Sequence, residues 1–116
     1  MNTTENEETL AKLDRDSKAT KPLVDMGLAL DKLRNNRDFI KLIVDGYLKD
    51  EAVRLVHLKA DPNMDSPAHQ AAIDRDISAI GVLNQYFNLV DSRARIAGKQ
   101  MNDIEETRAE LLNEQV

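Results

Sequence analysis

The sequence contains no cysteine and no tryptophan, and it has few aromatic residues. Without cysteine the chain can form no disulfide and has no thiolate for metal binding or catalysis. Aromatic residues make up 3% of the 116 residues, beside four glycines and three prolines, whereas 41% are hydrophobic and 32% are charged. This composition fits an all-α protein better than a β-sandwich or a β-barrel. The lack of cysteine also suits a reducing compartment such as the cytoplasm.

Long hydrophobic runs are also missing from the sequence. No apolar run approaches the roughly 20 residues that a membrane-spanning helix needs. Residues 1–8 are polar and acidic, whereas a signal peptide would be basic and then apolar. We therefore expect a soluble protein that is not exported and has no membrane partner.

Charge is unevenly distributed along the chain, and its net value is −5. Residues 1–11 carry −3 and residues 100–116 carry −4, whereas residues 12–41 carry +3 with alternating signs. Nucleic-acid binding usually needs a concentrated basic face, because most of the affinity comes from neutralising phosphates. The sequence therefore does not favour a nucleic-acid partner.

One long helix is predicted from about residue 67 to about residue 113. Ser66 followed by Pro67 is a strong start signal, because the serine hydroxyl can cap the helix and proline is tolerated at the first helical position. Apolar and small residues then recur at alternating steps of three and four, with polar Arg108 as the one exception. They are Ile80, Leu83, Phe87, Val90, Ala94, Ala97, Met101, Ile104 and Leu111. This is heptad spacing, which is typical of helices that pair lengthwise.

The apolar face of this helix narrows beyond Asp91, which predicts a coiled-coil-like distal arm. A helix of about 47 residues would extend roughly 70 Å, which exceeds the diameter of a compact domain of this size. Short upstream helices would cover only the proximal half, so we expect another chain to cover the distal half and the protein to be a homo-oligomer. The predicted protein-interface residues are Ala94, Ala97, Gly98, Met101, Ile104 and Leu111.

Small residues within this set suggest a close approach between helices. Ala94, Ala97 and Gly98 form a patch that would let a second helix come near, although ordinary exposed helix sequence is the alternative interpretation. Gly81 and Gly98 each lie inside the predicted helix, where glycine costs about 1 kcal/mol relative to alanine. Close helix packing is one reason to retain them.

The chain before the long helix is predicted to form an acidic flexible arm and several short helices. Residues 1–21 form the arm, with a marginal helix that ends at Pro22, because the residue before a proline avoids helical geometry. Residues 22–116 form a single helical domain. Its first helix would run to about residue 34 and bury an apolar face made of Leu23, Met26, Leu30 and Leu33.

Two helix boundaries follow in the sequence. Asn35 and Asn36 read as a stop followed by a cap, with Asp38 in the first turn of the next helix. Gly46 is predicted to close that helix in a left-handed conformation. A continuous kinked helix through Gly46 is the alternative.

Residues 61–72 partly match a calcium-binding loop. Asp61, Asn63 and Asp65 occupy the first three ligand positions of such a loop. The sixth position is Ser66 instead of glycine, and the twelfth is Ala72 where a bidentate acidic residue is required. A turn bounded by proline explains these residues better, so no calcium site is predicted.

No catalytic, cofactor or metal site is predicted elsewhere in the chain. His57 and His69 lie in different predicted helices, and their spacing matches no zinc site. The sequence has no Gly-rich phosphate loop, no nucleophile elbow and no H-E-x-x-H motif. We therefore predict a protein that is not an enzyme and acts by contact with other proteins.

Three stretches carry a resemblance to a family: DGYLKDEAVRLV at residues 45–56, ADPNM at 60–64 and DISAIG at 76–81. Over roughly residues 33–112 the chain resembles small all-helical proteins encoded among the structural genes of tailed bacteriophages. The resemblance implies a virion structural or assembly role, in the host cytoplasm during assembly with the virion as a second location, and brings no catalytic residues. The alternative is a small acidic regulatory protein that binds and inhibits a host protein through its acidic ends.

Overall fold

The structure, a computed structural model, describes residues 3–114, and every regular element in that range is a helix. The elements are α1 (Thr3–Arg34), α2 (Arg37–Phe39), a π-helix (Ile40–Glu51), α3 (Ala52–Lys59), a 3₁₀ turn (Pro62–Met64) and α4 (Pro67–Glu114). The predicted all-helical fold and the predicted long C-terminal helix are confirmed. No helix within residues 3–114 is both long enough and apolar enough to cross a membrane.

The chain divides into two compact units. The terminal unit comprises Met1–Ala29 and Val90–Val116, and the central unit comprises Leu30–Leu89. Residues 3–29 of α1 and residues 90–114 of α4 form the described part of the terminal unit. The central unit holds α2, the π-helix, α3 and the first part of α4. The sequence instead predicts an arm at residues 1–21 and a domain at residues 22–116, and that division stays a prediction.

Helix boundaries follow the capping residues predicted from the sequence. The Asn36 side-chain oxygen accepts a hydrogen bond from the Phe39 backbone N–H at 3.0 Å, so Asn36 caps α2. Ser66 Oγ accepts a hydrogen bond from the His69 N–H at 3.1 Å, and α4 begins at Pro67. Each cap satisfies a backbone donor that has no partner inside its helix.

The predicted helix break at Lys21-Pro22 is wrong, because α1 runs through Pro22 without interruption. A proline inside a helix removes one hydrogen bond and costs about 3 kcal/mol. Pro22 is exposed, so the carbonyl that loses its partner can be solvated by water. Thr20, which precedes Pro22, and Gly27, which follows it, are both buried. Because α1 packs against α4 on both sides of the proline, a continuous helix is favoured.

The predicted left-handed turn at Gly46 is also wrong. No glycine within residues 3–114 has a positive φ, and the helix continues from Arg37 to Lys59 with a π-helical middle. In this wider helix Gly46 lies over the Lys41 carbonyl oxygen, which would be only 2.8 Å from a Cβ added at Gly46. A glycine therefore fits the π-helical path where a side chain would collide with backbone.

The core of the central unit forms where α2, the π-helix and α3 pack against the first part of α4. The rings of Phe39 and Phe87 meet edge to face, with centroids 5.9 Å apart. Two hydrogen bonds hold the turn between α3 and α4: Gln70 Nε2 donates to the Lys59 and Met64 carbonyl oxygens at 3.0 and 2.8 Å. The fully or nearly buried apolar residues of this unit are Leu30, Leu55, Ile73 and Ile80.

One part of the predicted core is exposed. Val82, Tyr86 and Leu89 fall within the broad apolar arc predicted for the proximal half of α4, yet each is well exposed. Leu33 is exposed as well, although it belongs to the face that the sequence predicts to be buried. The helices of the central unit cover one side of α4, so these residues on another side stay in contact with solvent.

Candidate functional site

The predicted interface residues lie in the terminal unit, where α1 and α4 pack against each other. Arg108 Nη2 of α4 donates to Asp14 Oδ1 of α1 at 2.6 Å. Further along, Gly27 of α1 lies against Ala94 of α4. The residue number rises from 14 to 27 in α1 while it falls from 108 to 94 in α4, so the two helices are antiparallel.

Packing against α1 buries most of the predicted interface within a single chain. Ala97 is 0% exposed and Ile104 is 8% exposed, and Leu111 is also buried. Ala94, Gly98 and Met101 are half-buried. Apart from Gly98, these residues therefore line a contact within the chain, whose other half is α1.

The expectation that another chain covers Met101 and Ile104 stays a prediction, but within this chain Ile104 is already buried and Met101 half-buried, and the reason is the length of α1. Several short helices would have folded back on one another and left the distal half of α4 free. Instead, α1 has 32 residues, which span about 48 Å at 1.5 Å per residue. One continuous helix of that length is enough to cover residues 90–114 of α4.

The matching face of α1 was missed because most of it is not hydrophobic. Apart from half-buried Thr9, the buried and half-buried positions of α1 in the terminal unit recur at alternating steps of four and three, as they do on α4. They are Asn6, Leu10, Leu13, Ser17, Thr20, Val24 and Gly27. Three of these seven positions are polar and one is glycine, so hydrophobicity does not show the pattern. A search for heptad spacing that admitted small and polar residues would have found it.

The two helices come close together at Gly27. A Cβ added at Gly27 would overlap the Ala94 Cβ and lie 3.7 Å from the Ala94 Cα. By contrast, a Cβ added at Gly81 or Gly98 would have no neighbouring atom of residues 3–114 within 4 Å. The close packing expected at Gly81 and Gly98 is therefore absent, whereas the close approach expected at Ala94 is real and its partner is Gly27.

One polar group is buried in this contact without a hydrogen-bond partner. Asn6 is 4% exposed, and within the described chain its side-chain oxygen accepts no hydrogen bond. A buried amide oxygen without a partner costs about 1–3 kcal/mol. Asn6 therefore lowers the stability of the α1–α4 pair.

No family model, curated protein or solved structure matches this chain.

The polar residues singled out in the sequence have structural roles. The Asp61 carboxylate accepts a hydrogen bond from the Asn63 N–H at 2.9 Å and caps the 3₁₀ turn, which confirms the predicted turn. Within residues 3–114 no three His, Asp or Glu side chains lie close enough together to hold a metal ion. Glu51 and Arg54 form an exposed ion pair, and the hydrogen bond from Arg54 lowers the pKa of the Glu51 carboxyl.

A groove runs beside the α1–α4 contact in the terminal unit. Its volume is about 440 Å³, and both helices contribute polar side chains to it. The lining residues are Asp16, Ala19 and Thr20 from α1 and Gln100, Asp103 and Ile104 from α4. Among these residues Thr20 and Ile104 are buried, and each helix contributes one exposed carboxylate to the groove.

Exposed apolar side chains continue the line of this groove along both helices. Leu23 and Met26 lie seven residues after Asp16 and Ala19, and Arg93 and Ile96 lie seven residues before Gln100 and Asp103, which is two helical turns in each case. These four residues therefore lie on the same side as the groove. The three apolar side chains among them are 37–55% exposed. We call this surface the groove face; its residues are Asp16, Ala19, Leu23, Met26, Arg93, Ile96, Gln100 and Asp103.

Proposed function

We propose that this protein is a non-enzymatic structural or assembly protein of a tailed bacteriophage particle. It acts through its helices, by self-association or by docking on a larger virion component. The proposal places the protein in the host cytoplasm during assembly, and in the virion if it stays in the particle.

The observation that carries this proposal is the exposure of apolar side chains on the long helices. Single exposed apolar residues are normal on a protein surface, but rows of them mark sites of protein contact. In the central unit Val82, Tyr86 and Leu89 form such a row, because steps of four and three keep them on one side of α4. In the terminal unit the groove face carries Leu23 and Ile96 side by side with charged residues. Both surfaces suit a partner helix.

The resemblance of residues 33–112 to small proteins from phage structural genes supports the choice of partner class. It makes virion proteins, including further copies of this chain, the first partners to test. The test is mass spectrometry of purified phage particles and of assembly intermediates. The proposal requires the protein in at least one of these, in a fixed ratio to a virion protein, and its absence from both would refute it.

A regulatory role is the second candidate, and one observation favours it. The antiparallel contact brings the first turns of α1 to the same end as the last turns of α4, so acidic residues from both termini lie near each other. They include Glu7, Glu8, Glu110 and Glu114. Such an acidic end could attract a basic surface on a host protein. Capture from infected cells separates the two candidates, because virion proteins support the first and a single host protein supports the second.

A further inference from the structure

We propose that the groove face binds the groove face of a second copy of the chain, with the two copies antiparallel. In this dimer Arg93 of each copy enters the groove of the other and pairs with Asp103. The inference builds on the proposed function, because it identifies the surface through which the protein self-associates. Its test uses purified protein alone.

The charges on α4 fit a two-fold axis. Arg93 and Asp103 both belong to the groove face and lie five residues on either side of Gly98. A two-fold axis at the level of Gly98 exchanges their positions, so each arginine of one copy is level with the aspartate of the other. At 1.5 Å per residue each lies about 7.5 Å from the axis. The dimer thus has two equivalent ion pairs, and Asp16 adds a second carboxylate to each groove.

The apolar residues of α1 fit the same axis. Because Gly27 lies against Ala94, residue 23 of α1 is level with residue 98 of α4. Leu23 therefore lies at the axis, where it contacts Leu23 of the other copy. Met26 lies three residues to one side of it, level with Thr20 and next to Ala19 of the second copy. A long exposed side chain is thus placed over two small residues that line the groove.

These two observations favour a second copy over an unrelated helix as the occupant. An unrelated helix would need a basic residue of its own at the same position along the helix axis as Asp16 and Asp103. This chain already supplies Arg93 at that position. A parallel dimer would place Arg93 level with Arg93 of the other copy and Asp103 level with Asp103. No arginine of α4 would then be level with an aspartate of α4, so that arrangement lacks the two ion pairs.

Charge reversal tests the proposal on the purified chain. We expect sedimentation equilibrium to show a wild-type dimer, and we expect Arg93→Asp and Asp103→Arg each to raise the dimer dissociation constant at least about tenfold, because symmetry applies each change twice. The double variant R93D/D103R restores the charge pairs with their signs exchanged and should dimerise like the wild type. Arg95→Asp is the matched control, because Arg95 is exposed on another side of α4 and should leave the dimer unchanged.

Mixing the two single variants gives a sharper result. Each alone places like charges at both pairing sites, whereas a mixture pairs two arginines with two aspartates and should form a heterodimer. Circular dichroism checks that every variant remains helical. A monomeric wild type, equal effects of R93D and R95D, or no heterodimer on mixing would each overturn the inference. A dimer that is absent from phage particles would refute the proposed function and leave the inference intact.

Discussion

Replacing Gly27 with alanine should destabilise the protein, although alanine is the better helix former. The added methyl group would overlap the Ala94 Cβ, which belongs to a short, rigid side chain and cannot rotate away. Overpacking of this kind costs about 1–3 kcal/mol. The gain in helix propensity from glycine to alanine is about 1 kcal/mol. The net change is therefore a loss of up to about 2 kcal/mol.

Gly98→Ala is the matched control, because Gly98 lies in the same unit and a Cβ there has no atom within 4 Å. It should gain the full propensity term, so the two variants should differ by the overpacking cost of about 1–3 kcal/mol. Thermal and urea unfolding followed by circular dichroism measure this difference, at about 4–8 °C per kcal/mol for a small domain.

A double variant tests whether the contact itself is responsible. Ala94→Gly removes the methyl group that the new alanine would meet, so Gly27→Ala with Ala94→Gly should recover near wild-type stability, and the double-mutant cycle should show coupling. If Gly27→Ala stabilised the protein as much as Gly98→Ala does, the close approach of α1 and α4 would be refuted.

Three further predictions concern single groups. Replacing Asn6 with leucine removes a buried oxygen without a partner, so unfolding by urea should show a gain of about 1 kcal/mol, and a loss would mean that Asn6 is hydrogen-bonded in solution. Gly46→Ala places a Cβ against the Lys41 carbonyl oxygen, so calorimetry should show a lower melting temperature, unless that turn is an ordinary α-helix. The Glu51 carboxyl should titrate below its usual range by NMR, and Arg54→Gln should raise its pKa, because the Arg54 hydrogen bond stabilises the carboxylate. The stability from this pair is complete above the ordinary glutamate pKa and is lost as the pH falls through the lowered one.

Local signals in the sequence were enough to predict where most helices begin and end. Asn36 and Ser66 cap the helices that follow them, because capping depends on residues within one turn. The continuity of α1 through Pro22 was not predictable by that route. It depends on burial against a segment about 80 residues away in the sequence, and this tertiary contact outweighs the local preference of proline.

The sequence was enough to predict which face of α4 is covered, but not which helix covers it. The heptad spacing from Ala94 to Leu111 correctly marked the face of α4 that packs against another helix. The identity of that helix was hidden, because Ser17 and Thr20 occupy positions where a hydrophobic residue is expected. Leu23 and Met26 were predicted to be buried but are exposed. Hydrophobic spacing shows that a helix has an apolar face, but it does not show how many other helices are available to cover that face.

The antiparallel contact between α1 and α4 also sets the order in which the protein can fold. Asp14 and Arg108 are 94 residues apart in the sequence, whereas Lys59 and Asp74 of the central unit are 15 apart. Contacts between distant residues form slowly, because a long loop must close before they contribute. During synthesis α1 emerges before its partner segment in α4. Until residues 90–114 leave the ribosome, the seven positions of α1 that later pack against α4 remain in contact with water.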